Sequence, residues 1–395
     1  MLSNRQLFLL NNAQTSSTPR LLEIERAEGL YLYDTSGKAY MDLVSGFAVS
    51  NVGHRHPKVL AAIKNQLDCY MHLTVYGEYV QAPQVKFAGK LTSVLPSELN
   101  SVYFVNSGAE ATEGALKLAK RFTGRSQIIS FHNAYHGSTH GALSVMGNDY
   151  YKEAYRPLLP NVEFLSFNES DGLSQITTET ACVIMETIQG EAGVRVPSVG
   201  FMKGLREKCS ETGTLLILDE IQTGFGRTGK LFAFEHYGIV PDMLLLAKGM
   251  GGGMPIGAFI AKLEVMDVLK DNPILGHITT FGGHPVCCAA GLATLEVIME
   301  ENLMENIAAK EALFRELLVH PLIKEVRGKG LMLSVQLESF HQVETASKLC
   351  TDKGILIDWF LHCDNALRIA PPLTISDQEI RSACGVILEV LNSLN

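Results

Sequence analysis

Four short runs of this chain are apolar nearly end to end: QIISF (127–131), ACVIME (181–186), TLLILDE (214–220) and MLLLAKG (243–249). A strand with one wet face alternates polar and apolar residues. A continuous apolar run is a strand covered on both faces, which points to parallel strands with helices on either side. Segments of helical spacing lie between the runs, FMKGLREKCSETG (201–213) among them. The pattern predicts an α/β fold built on a large, mostly parallel sheet.

Other segments extend the frame. SVYFVN (101–106) reads as a buried strand, and SGAEATEGALKLAKRF (107–122) follows it at once as a helix. Ala111, Ala115, Leu118 and Phe122 share one face of that helix. Glu110 and Glu113 lie early and Lys117, Lys120 and Arg121 late, as the helix dipole favours, and Gly124 stops it. GLYLYDTSGKAYMDLVSG (29–46) reads as a hairpin. After Pro285 the texture changes to a long helix, short strands in VRGKGLMLSVQL and ALRIAPP, and a last helix opened by a Ser376–Glu379 capping box. The expected organisation is an N-terminal segment (1–48) packing with a smaller domain, a large α/β domain (49–288), and a small C-terminal α+β domain (289–395).

Composition narrows the function. Net charge is -9 and no Lys/Arg run occurs, which argues against nucleic acid. The eight cysteines lack any C-x-x-C spacing, so buried reduced thiols are expected and no metal site. The apolar patch Leu7 to Leu10 is too short for a signal sequence, and no run approaches the ~20 residues of a membrane span. A cytoplasmic protein acting on small molecules is expected.

GFGRTGK (224–230) fits two nucleotide-binding patterns at once, G-x-G-x-x-G and most of G-x-x-x-x-G-K. Neither context fits. Asp219 to Thr223 separate the preceding strand from the first glycine, and Leu231 stands where a phosphate loop needs Ser or Thr. A glycine-rich turn is the plainer reading; a nucleotide-binding protein using 224–230 is the distant alternative.

In open α/β sheets ligands lie beyond the carboxyl ends of the strands. Three of those ends are unusual. Asn106-Ser107-Gly108-Ala109 offers free amides at a positive helix end, an anion site or an ordinary N-cap. Asp219-Glu220 closes a buried strand with carboxylates, suited to a magnesium ion or to a protonated ring nitrogen. Lys248 closes MLLLA ahead of four glycines in GMGGG, where desolvation would lower its pKa and make the amine a nucleophile. A phosphate nest, a buried Asp and a reactive Lys together describe pyridoxal 5'-phosphate.

With these residues in view the chain resembles the class III (omega) aminotransferases of pyridoxal-phosphate fold type I, nearest the acetylornithine/ornithine branch. The resemblance runs from about residue 20 to 390 and rests on NSGAEATEGALKLAK, FHNAYHG, IQGEAGV, LILDEIQTGFGRTGK, LAKGMGGGMPIGA, TTFGGHP and LRIAPP. It makes GFGRTGK the tail of a family signature near the cofactor. It implies that Lys248 carries the cofactor as a Schiff base and then shuttles the proton. Asp219 would bind the ring nitrogen and Gln222 the ring hydroxyl. Ser107, Gly108 and Ala109 would hold the phosphate, Tyr135 would stack on the ring, and His136 would belong to the same cofactor shell. Thr280 would reach the phosphate of the other subunit, which implies a homodimer with shared sites. Arg368 would bind the substrate α-carboxylate, and Glu191 would cover that arginine when the substrate's near end has no carboxylate. Tyr31 aligns with a tyrosine used for the substrate's far carboxylate; packing within the hairpin is the alternative. The chain departs from the common pattern at Thr187, usually Pro, and at Ile278-Thr279, usually Gly and Ser. The implied reaction moves an amino group from an ornithine-like or N-acetylornithine-like donor to 2-oxoglutarate, giving glutamate and an aldehyde. A non-transaminase of the same fold (aminomutase, racemase or decarboxylase) is the alternative.

Overall fold

A computed structural model describes residues 2–75 and 78–394. Its centre is a seven-stranded sheet in the order Ser101–Val105, Gly257–Ala261, Met243–Leu246, Leu215–Asp219, Thr180–Glu186, Gln127–Phe131, Val162–Leu165. Strand Gly257–Ala261 runs antiparallel to both neighbours, and the other neighbouring pairs are parallel. All four apolar runs are strands of this sheet, with every residue of the three central ones buried. Two strands carry weaker signals. Val162–Leu165 lies at an edge and is only partly covered, and Gly257–Ala261 follows a glycine-rich stretch that masks its start.

Two apolar cores sandwich the sheet. One contains Ala111, Ala115 and Leu118 from helix Gly108–Thr123, which ends at Gly124 in the left-handed conformation. The other, on the opposite face, includes helices Val199–Thr212 and Pro285–Glu300. The expected domain boundary at 288/289 therefore falls inside a helix whose Ala290, Leu295 and Ile298 belong to the large core. A separate core draws on Ile307 onward and on Leu30, Met41 and Leu43 of the N-terminal hairpin. There a four-stranded antiparallel sheet (325–328, 333–336, 363–369, 358–360) packs under helices Ile307–Leu317, Phe340–Asp352 and Asp377–Asn392. Strand Ala39–Asp42 pairs in parallel with Ile355–Leu356, tying the first residues to the last third of the chain. The Ser376–Glu379 capping box opens the final helix. No helix among the described residues is long and apolar enough to cross a membrane.

Candidate active site

The carboxyl ends of the parallel strands all face one edge of the sheet, and a cavity of about 490 Å³ opens there. Ser107, Gly108, Ala109, Tyr135, His136, Glu191, Asp219, Gln222 and Lys248 all line it. Residues spread over some 140 positions converge because each sits at the carboxyl end of its strand or in the loop that follows it.

Lys248 follows strand Met243–Leu246 with φ of 46°, a left-handed conformation rare for a residue with a side chain. The glycines behind it permit the tight turn: Gly252 and Gly253 also have positive φ, and a Cβ on Gly249 would come within 2.6 Å of Asn51 Nδ2. Burial pushes the Lys248 ammonium below the ordinary lysine value; Glu191 and Asp219 pull the other way, and Arg368 adds to the lowering. The result is an amine held near carboxylates yet disposed to lose its proton.

Two strands away, Ser107 caps helix Gly108–Thr123, its Oγ accepting the Glu110 N–H at 3.2 Å. The cap and the anion site are thus compatible: Ser107 serves Glu110, while the Gly108 and Ala109 amides have no partner within the helix. A Cβ on Gly108 would come within 2.7 Å of Ile221, and one on Gly257 would collide with the Ser107 carbonyl. The loop is pressed close, with bare backbone towards the cavity.

Asp219 ends the strand next to that of Lys248 and lines the same cavity. Its Oδ2 meets His136 Nδ1 at 2.7 Å and its Oδ1 accepts the Ile221 N–H at 2.9 Å. The opposite ring nitrogen of His136 is buried and has no partner among the described residues. Glu220 turns away from the cavity. It accepts the Ala233 and Phe234 N–H groups at 2.6 Å each and the Thr187 hydroxyl at 3.0 Å, and burial raises its pKa to about 7. Of the two carboxylates read from the sequence, only Asp219 points into the site. Thr187 also donates its N–H to the Asp219 carbonyl at 3.2 Å. Proline could make neither bond, so this departure extends the strand pairing by one residue beside Asp219.

Glu191 and Arg368 form a fork-to-fork pair, Nη1–Oε1 3.0 Å and Nη2–Oε2 2.6 Å, with side chains 12% and 4% exposed. Arg368 and its hydrogen bonds hold the Glu191 carboxyl down to about 2, against the opposing effect of burial. Gln222 leans on the same carboxylate, Nε2 to Oε1 3.4 Å. In this arrangement Glu191 lines the cavity and Arg368 sits behind it, over the Phe360 ring at 4.4 Å.

Two expected site residues lie elsewhere. Tyr31 donates its hydroxyl to Glu379 Oε1 at 3.2 Å, bracing the hairpin against the last helix. Thr280 is exposed and lines a separate hollow of about 370 Å³ with His72, Thr74 and Ile278. Its neighbour Thr279 accepts from Asn106 Nδ2 at 2.9 Å.

Other site residues gave no sequence signal because their partners are remote. Glu186 accepts the Tyr135 N–H at 3.0 Å and the Gly190 N–H at 2.9 Å, joining two loops of the cavity wall. Arg227, from GFGRTGK, is fully buried. It donates to the carbonyls of Leu331 and Pro371 and to Asn51 Oδ1. The glycines around it serve this: Gly226 and Gly229 have φ of 87° and 89°. No helix opens directly after Lys230, and the stretch is a turn that reaches across to the separate core that includes Leu331.

Comparison with known proteins adds an independent line. The aminotransferase class-III family profile matches residues 12–391. The acetylornithine aminotransferase of Methanopyrus kandleri is 40% identical, over 93% of each chain. The LysW-aminoadipate semialdehyde/glutamate semialdehyde transaminase of Sulfolobus acidocaldarius is also 40% identical, over 94% of this chain and 95% of that one. Among solved structures, the ornithine aminotransferase of Toxoplasma gondii superposes with a TM-score of 0.92 at 30% identity, covering 100% of this chain and 96% of that one.

Proposed function

Since this chain belongs to the class III aminotransferases, we propose that it transfers a terminal amino group from an ornithine-like or N-acetylornithine-like donor to 2-oxoglutarate, with the cofactor pyridoxal phosphate. The relatives named acetylornithine aminotransferase support a terminal-amine donor. The observation that carries the reading is the convergence of Lys248, Asp219 and the bare Gly108–Ala109 helix end on one cavity.

The residues fit the cofactor. The Gly108–Ala109 amides and the helix dipole would take its phosphate, in a loop with no room for a side chain at Gly108. Asp219, fixed by His136 and by the Ile221 amide, would hold a protonated ring nitrogen. Tyr135 would cover one ring face, and Gln222 would reach the ring hydroxyl. When bound, the cofactor supplies an electron sink for the carbon that gives up its proton. Lys248 is the amine that would hold the cofactor, and once released it takes and returns that proton as general base and acid. Its lowered pKa suits both tasks.

Arg368 and Glu191 let one pocket accept two kinds of substrate. With the pair closed, an amine whose near end has no carboxylate meets a neutralised wall. With Glu191 displaced, Arg368 is free to bind the α-carboxylate of glutamate or 2-oxoglutarate through two parallel hydrogen bonds. Arg368→Ala is expected to lower kcat/KM for 2-oxoglutarate about 100-fold, with the donor half-reaction within about fivefold of wild type. An unchanged response to 2-oxoglutarate removes Arg368 from this role.

The assembly proposed is a homodimer with shared sites. Thr280 is exposed amid Ile274, Leu275, Ile278 and Phe281, also exposed, and a second copy seated there would receive Thr280 at its cofactor phosphate. Sedimentation as a single chain would exclude this. The first experiment is the visible spectrum of the purified protein with pyridoxal phosphate, before and after glutamate. A band bleached by glutamate establishes the cofactor and the glutamate half-reaction. A band that glutamate leaves in place excludes the proposed acceptor.

A further inference from the structure

Building on the roles given above to Arg368 and Glu191, we infer that Tyr151 is a positioning residue that sets the balance between the closed and open states of that pair. It does so by clamping the turn that holds Glu191. The turn is Leu361–His362, between strands Asp358–Phe360 and Cys363–Ile369. The Leu361 N–H donates to Glu191 Oε2 at 3.0 Å, and the His362 N–H donates to the Glu191 main-chain carbonyl at 3.0 Å. Glu191 is therefore gripped from two sides, by the arginine fork and by this turn.

The turn is fixed in its own right by residues of the large core's side. The Tyr151 hydroxyl donates to the Leu361 carbonyl at 2.7 Å. His362 Nδ1 meets the Asn133 carbonyl at 3.0 Å, and the Tyr151 and His362 rings lie 5.3 Å apart. The amide bound to Glu191 and the carbonyl bound to Tyr151 both belong to Leu361, so fixing one restricts the other. Tyr151 closes a short 3-10 segment, Asp149–Tyr151, and the next residue anchors it. Lys152 is only 4% exposed. Its ammonium donates to the Met146 carbonyl at 2.7 Å and lies 3.9 Å over the Phe164 ring. Burying that charge is costly, as the downward push of burial on its pKa shows, and Asp149 offsets part of it. The Glu191 charge in turn is among the causes that raise the Tyr151 pKa, after burial itself. The anchored segment, the turn and the switching carboxylate thus form one continuous chain of hydrogen bonds.

The consequence is directional. Removing the Tyr151 hydroxyl weakens the closed state of Glu191. Arg368 then becomes easier for a substrate α-carboxylate to reach, while the half-reaction that needs Arg368 covered slows. A variant that merely loosens the fold harms both halves together.

The test uses the holoenzyme and two variants, Tyr151→Phe, which keeps the ring, and His362→Phe, which removes the other clamp. Each half-reaction is followed separately by its visible spectrum. Glutamate opens one half. The other uses whichever of ornithine, N-acetylornithine and 1-pentylamine reacts fastest with wild type. Loss of one hydrogen bond predicts a three- to tenfold lower apparent KM for glutamate and a three- to tenfold lower kcat/KM for the amine, with the melting temperature nearly unchanged. Both halves within twofold of wild type, or both falling together, overturns the inference. A wild type whose spectrum glutamate does not alter defeats the broader reading instead, so the two failures are distinguishable.

Discussion

Lys248→Ala is expected to reduce turnover by roughly 10⁴-fold or more, since it removes both the covalent attachment point and the group that moves the proton. The fold should survive, because the side chain lines a cavity rather than packing into any of the three apolar cores. Lys248→Arg should fare no better: guanidinium keeps its proton at any working pH and cannot act as a base. Both variants should still bind pyridoxal phosphate, through the Gly108–Ala109 amides and Asp219, but reversibly and without the wild-type absorption band. Turnover of the alanine variant within tenfold of wild type would sink the assignment of Lys248 and reopen every role built around it.

The second large effect concerns stability. Arg227→Ala is expected to cost about 3 to 5 kcal/mol, comparable to breaking a buried ion pair. The guanidinium is fully buried and, among the described residues, pairs with no carboxylate; burial disfavours its charge, and Asp42 compensates only partly. Its worth lies in its three acceptors, the Leu331 and Pro371 carbonyls and Asn51 Oδ1, which alanine leaves unsatisfied in a dry interior. Arg227→Lys should recover little, because one ammonium cannot reproduce a planar fork. Urea unfolding of wild type and variants at one pH provides the check. A loss below about 1 kcal/mol would show that GFGRTGK is a replaceable turn rather than a brace between the large sheet and the separate core of the last third of the chain.

What the sequence disclosed and what it concealed divide along a physical line. The parallel strands were legible because burial on both faces writes itself into consecutive residues. Lys248 and Asp219 were legible because a charge at the end of such a strand is costly and so conspicuous. Asn51 and Arg227 left no local mark, since their partners lie more than a hundred positions away, and neither did the bond from Glu186 to the remote Tyr135 amide. The edge strand Val162–Leu165 and the antiparallel Gly257–Ala261 were hidden by partial exposure and by glycine. The family resemblance named GFGRTGK as a loop near the cofactor, but only the structure shows Arg227 turned towards the separate core of the last third of the chain. At Thr187 the departure from proline was visible, while the pair of hydrogen bonds it makes to the Asp219–Glu220 end was not.

The closed Arg368–Glu191 pair carries a consequence for a crowded cell. A guanidinium left bare in a pocket attracts whatever anion is most abundant, and chloride, sulfate or inorganic phosphate would then compete with every substrate. Here the arginine carries its own tethered counter-ion, bonded through both oxygens. A tethered group acts at an effective concentration of about millimolar or higher without being consumed, and a nearly buried pair is little screened by salt. With the pair closed, small inorganic anions are expected to compete poorly for Arg368. On the proposed reading, the protein would yield this cation to a ligand that offers a carboxylate together with enough further contact to displace the one it already holds.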